Sequence, residues 1–71
     1  MELRAEVEAT VLKLNLKPGD SVREGDTVVV LEVMKMEFPV EATTAGVVTE
    51  ISVKEGELVK EGQLLARLER T

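Results

Sequence analysis

The stretch "LKPGDSVREGDTVVVLE" (residues 16–32) returns as "VKEGELVKEGQLLARLE" at residues 53–69. At a constant offset of 37, Lys17 meets Lys54, Gly19 meets Gly56, Val22 meets Val59 and Gly25 meets Gly62. Leu31 and Glu32 likewise meet Leu68 and Glu69, with no gap in the register. The match extends backward in residue class, Thr10–Leu14 against Val47–Ile51 and residues 1–5 against 38–42. Two copies are too few for a solenoid. The expectation is therefore one domain, 1–71, built from quasi-repeats 1–34 and 38–71 about an approximate two-fold axis.

Each copy reads as strands. Leu12, Leu14 and Leu16 alternate with Lys13 and Asn15, and Val47, Thr49, Ile51 and Val53 alternate with Glu50 and Ser52. Leu64, Ala66 and Leu68 do the same, and Val29, Leu31 and Val33 are expected to point the same way. Period-two alternation in Val-rich segments predicts sheets with one buried face. The two G-x5-G segments place glycines, which take positive φ cheaply, on either side of a short strand at Val22 or Val59. Pro39 belongs at an edge or at a position that donates no ladder bond. No segment of ten residues has helical periodicity. The predicted class is all-β, a flattened sandwich or barrel (a barrel-sandwich hybrid) of two small antiparallel sheets.

Composition excludes several kinds of chemistry. The chain has 71 residues, and one this short buries only about 60% of the surface it exposes when unfolded. It has no Cys and no His, so thiolate and imidazole chemistry and the usual zinc ligands are missing. The carboxylates show no spacing that suggests a catalytic pair, so the chain is not expected to be an enzyme by itself. Nine Lys+Arg against fourteen Asp+Glu give a net charge of −5, which opposes phosphate-backbone binding, and no Trp or Tyr is available for base stacking. No segment has the length or hydrophobicity of a membrane span or signal peptide. The expectation is a cytoplasmic, monomeric domain without nucleic-acid or membrane partners.

The joint between the copies carries the candidate site. In "LEVMKMEFPV" (31–40), Lys35 stands between two methionines at the centre of the repeat. With one strand over Val29–Val33 and the next over Glu37–Glu41, the connection is a tight hairpin near Met34 and Lys35. Lys35 is predicted at its exposed tip. Met34 and Met36 are soft side chains suited to meeting several surfaces; the competing reading has them cap the ends of the core. Glu32 and Glu37 flank the tip as candidate contacts for a basic partner surface.

"EVMKMEF" resembles the biotin-attachment sequence of biotinyl domains, usually Glu-Ala-Met-Lys-Met, and the symmetric G-x5-G halves resemble that family over essentially the whole chain. The closer likeness is to short stand-alone attachment proteins similar to biotin carboxyl carriers. The resemblance implies that Lys35 carries biotin as an amide, installed by a biotin protein ligase. It further implies that Met34, Met36 and Glu37 are recognition residues, and that a biotin carboxylase and a carboxyltransferase are the partners served. Val33 departs from the familiar Ala, Glu6–Ala9 stands where many members carry a Pro- and Gly-containing turn, and Thr43 replaces a common Pro. The gap-free repeat leaves no room for the protruding thumb of some bacterial carriers. Two alternatives share the fold. A lipoyl-carrying domain of a 2-oxo acid dehydrogenase usually reads Asp-Lys-Ala at the tip. An unmodified adaptor module, like that of membrane-fusion proteins, typically carries a long helical hairpin between its halves.

Overall fold

The computed structural model describes Met1–Thr71 and contains eight strands. They are β1 (Glu2–Arg4), β2 (Ala9–Leu14), β3 (Ser21–Val22), β4 (Thr27–Val33), β5 (Met36–Glu41), β6 (Gly46–Ile51), β7 (Leu58–Val59) and β8 (Leu64–Arg70). Two four-stranded antiparallel sheets result, sheet I in the order β1-β8-β6-β3 and sheet II in the order β5-β4-β2-β7. The offset of 37 carries β2 onto β6, β3 onto β7 and β4 onto β8 residue for residue. Each sheet takes its two central strands from one half of the chain and its two edge strands from the other. Neither half can complete a sheet alone, which ties the two into one body of 35 × 18 × 17 Å.

The glycine turns make this exchange possible. Gly19, Gly25, Gly56 and Gly62 all have positive φ, between 85° and 97°, where a Cβ is disfavoured. The Gly19 N–H donates to the Val48 carbonyl and the Gly56 N–H to the Val11 carbonyl, both at 2.7 Å. Each turn of one half is thus tied to the central strand of the other. Side chains close the same turns in matching pairs. Asp20 Oδ2 accepts from Lys17 N and Glu57 Oε1 from Lys54 N, both at 3.0 Å. Asp26 and Gln63 accept in the same way from Arg23 N and Lys60 N.

The strand faces differ from simple alternation at four symmetric places. Opposite β4, the register slips past Leu12; opposite β8, it slips past Thr49. Leu12 is consequently 40% exposed and Thr49 exposed, whereas Val11 and Val48 carry the core contact. The expectation that Leu12, Val47, Thr49 and Leu64 point inward is corrected here, because a bulge adds a residue and resets the face on one side of it relative to the other. Leu14 and Ile51, beyond the bulges, still pack on the core. Val28 and Leu65 are the other two skipped residues, facing β5 and β1 respectively. Both are fully buried beside Val29 and Ala66, so two consecutive residues enter the core where alternation predicts one. Leu31 and Leu68 are buried as expected, and the core contains no polar side chain. Pro39 lies on β5, an edge strand, where its missing N–H costs no ladder bond.

The outer face of sheet I carries a charge ladder. Glu2, Arg67 and Glu50 stand side by side on β1, β8 and β6. Arg67 reaches Glu2 at 3.2 Å and Glu50 at 3.5 Å, and Arg4 also pairs with Glu2. Held by the Arg4 hydrogen bond and charge first, and by Arg67 next, the Glu2 carboxyl titrates below its ordinary range.

Candidate functional site

Strand β4 ends at Val33 and β5 begins at Met36, and these two residues face each other across the ladder. Only Met34 and Lys35 lie between, with φ of 51° and 66°. Positive φ at both central residues is the mark of a type I′ turn, whose twist matches the strands it joins. Such turns normally use Asn-Gly or Gly-Gly; holding two ordinary side chains there costs on the order of 1–3 kcal/mol each. Met34 and Lys35 are the only non-glycine residues with positive φ in the chain. Sequence periodicity locates the hairpin but misses this strain, because neither residue is a turn former.

The turn holds its side chains out in water. Met34 is 90% exposed and Met36 60% exposed, so neither caps the core. Lys35 is exposed and makes no hydrogen bond or ion pair through its Nζ. Val33, by contrast, is half-buried and packed on the core, anchoring the last rung beneath the turn. One rung further down, Glu32 faces Glu37 on the outer side of sheet II. Like charges directly opposed in a ladder are unfavourable. Val33, Met34, Lys35, Met36, Glu32 and Glu37 are therefore all gathered at one end of sheet II.

This arrangement suits covalent attachment. The amine is unpartnered and accessible, the backbone beneath it is fixed by a six-rung hairpin, and no side chain competes for it. The largest concavity, about 470 Å³, lies elsewhere, between β1 and β5, and is lined by residues including Leu3, Val7, Phe38 and Thr43. It does not reach the turn. Alternation-based reading also misses an apolar set on the outside of sheet II, namely Leu12, Val30, Pro39 and Leu58. The signal for it lies in the repeat itself, where Leu12 aligns with Thr49 and Leu58 with Ser21.

A small helix-free scaffold that presents an exposed lysine on a strained hairpin has the form of a carrier domain. Residues 3–68 match the family described as biotin-requiring enzyme, and the chain belongs to this biotin/lipoyl attachment family. The biotinylated protein TB7.3 homolog of Mycobacterium leprae is 45% identical over 65 residues, covering 92% of each chain. The biotin/lipoyl attachment protein of Bacillus subtilis is 38% identical over 68 residues, covering 96% of this chain and 93% of its own. Among solved structures, a single-chain, multi-domain long-chain acyl-CoA carboxylase superimposes on the whole chain with a TM-score of 0.94 at 32% identity. The chain spans 7% of that enzyme's length.

Proposed function

We propose that this chain is a biotin carboxyl carrier whose Lys35 is the attachment residue. The observation that carries the reading is the Met34-Lys35 turn. Two non-glycine residues are held in a left-handed conformation, with the amine unpartnered and an exposed methionine on each side. Met34 and Met36 are the neighbours that biotinyl domains use, and the Mycobacterium leprae relative is itself described as biotinylated.

In this reading, a biotin protein ligase presents biotin as an acyl-adenylate. The deprotonated Lys35 Nζ attacks the acyl carbon, AMP leaves, and the amine loses its second proton to solvent as the amide forms. The lysine's positive charge leaves with the first proton, and the amide that forms cannot regain it. Biotin, when attached, supplies a ureido nitrogen able to carry a carboxyl group from a biotin carboxylase to a carboxyltransferase. The chain's own part is placement. The hairpin fixes the root of the arm, and tethering raises the cofactor's effective concentration at both active sites. Glu32 and Glu37 offer two carboxylates to basic groups of the ligase, and the exposed methionines adapt to each partner surface.

Lipoate on the same lysine is the second reading. It is supported by the lipoyl domain of the 2-oxoglutarate dehydrogenase complex from Azotobacter vinelandii, 35% identical with a TM-score of 0.76 over 89% of this chain. A streptavidin blot and intact-mass measurement of the cell-expressed protein, paired with Lys35→Arg, separate the two. Biotin gives a streptavidin signal that the variant loses. Lipoate gives a mass increase without that signal, and an unmodified protein gives neither.

A further inference from the structure

The internal two-fold makes each sheet a control for the other. At the offset of 37, the outer face of sheet I presents Glu2, Arg67, Glu50, Thr49 and Ser21. Sheet II places Pro39, Val30, Lys13, Leu12 and Leu58 at the corresponding positions. Same backbone, different chemistry: Lys13–Val30–Pro39 replaces the Glu50–Arg67–Glu2 charge ladder, and two leucines replace two hydroxyl residues. Two exchanges run in the opposite direction, Thr10 for Val47 and Thr27 for Leu64. Fold requirements are common to both faces and cannot account for the difference.

The apolar positions are open to solvent. Leu58 is 59% exposed and Leu12 40%, on adjacent strands, and neither contributes to the core. Leu58 pairs with Thr10, Thr10 with Glu32, and Glu32 with Glu37, so one row runs straight across sheet II to the second rung below the Lys35 turn. By strand spacing, Leu58 lies about 10 Å to the side of β4. The surface is thus continuous with the modification site and edged on that side by two carboxylates.

We propose that the outer face of sheet II, centred on Leu12 and Leu58, is the docking surface for the enzyme that modifies Lys35. This rests on the attachment role given to Lys35 above. A modifying enzyme must bring the amine itself within bonding distance, so its surface is pressed against the hairpin and the sheet face beside it. A client enzyme has to reach only the far end of the attached arm, which lies further from the sheet face. The complementary partner surface is apolar at its centre, with basic groups where Glu32 and Glu37 lie.

The test uses a purified biotin protein ligase with ATP, biotin and the full chain as acceptor. Leu12→Thr/Leu58→Ser gives sheet II the residues of sheet I at positions that bear no core load. Thermal melts check its folding, each single variant is run in parallel, and Ser21→Ala on the opposite face is the control. The expected result is a KM for the acceptor raised about tenfold, with kcat within twofold, in the double variant and none of this in the control. Wild-type KM in a folded double variant overturns the proposal while leaving Lys35 as the attachment residue. Absence of biotin on the wild-type chain instead removes the attachment reading, and the proposal with it. Normal ligase kinetics with slowed carboxylation would assign the face to a client, and a wild-type dimer abolished by the double variant would assign it to a second copy; either result overturns the proposal.

Discussion

Glu32 and Glu37 stand directly opposite each other on β4 and β5, two rungs below the Met34-Lys35 turn. A ladder selected for stability alone would place opposite charges there, worth about 0.2–1 kcal/mol. Glu37→Lys is therefore expected to leave the domain folded and slightly more stable while slowing biotin incorporation at Lys35. Melting curves and timed ligase assays read the two effects separately. Unchanged ligase kinetics would remove the recognition role from this pair.

The turn itself invites a similar trade. Asn tolerates the left-handed region better than Met. Met34→Asn should raise stability by on the order of 1 kcal/mol, the strain carried by one such residue. Modification should slow at the same time, because the exposed methionine is lost. A denaturant midpoint that rises without a change in slope, alongside a lower kcat/KM for the ligase, is the expected pair of results.

Leu31 and Leu68 occupy matched positions in the two central strands, and both are buried. Truncating either to Ala should cost a similar amount, roughly 2–5 kcal/mol. For a domain of this length that is a large share of the total stability. Urea titrations of the two variants should give like midpoints. A neutral result at one position beside unfolding at the other would show that the core is not shared evenly between the halves.

Gly46 differs from its mate Ala9 for a reason visible in the packing. A Cβ built on Gly46 would lie 2.3 Å from the Glu69 carbonyl oxygen, a backbone atom that cannot swing away. Gly46→Ala must therefore push β6 from β8, at a cost of about 1–3 kcal/mol. Loss of amide protection confined first to the β6–β8 pairs would locate the damage.

The acid limb of stability should depend on Glu2. Its carboxyl titrates below the ordinary range because of Arg4 and Arg67, so its contribution is present above the unfolded-state value and disappears as pH falls through the lowered one. As pH falls through and below the ordinary carboxylate range, Glu2→Gln should flatten the slope of stability against pH. The group is solvent-exposed, so added salt should shrink the difference between variant and wild type. Urea midpoints across that range, at low and high salt, provide the check.

The repeat at offset 37, the paired glycines and the lysine between two methionines are all readable in the chain. Each is a local feature: positive φ falls where glycine makes it cheap, and a hairpin falls where two strands meet. The all-β class and the position of the candidate site follow from these. The inward placing of Leu12 and Thr49 does not survive, and the joint burial of Val28 with Val29 and of Leu65 with Ala66 is not legible, because counting by twos assumes an unbroken ladder. Only the neighbouring strand decides where a residue is skipped. The left-handed conformation of Met34 and Lys35 is likewise imposed by the hairpin against local preference. Strand exchange between the halves, and with it the contrast between a charged and an apolar outer face, depends on pairings between residues dozens of positions apart. The amino-acid order alone thus determined what kind of scaffold this is and which lysine it presents. Its tertiary pairing determined which side chains are left facing a partner, since exposure belongs to a residue's neighbours in space rather than in sequence.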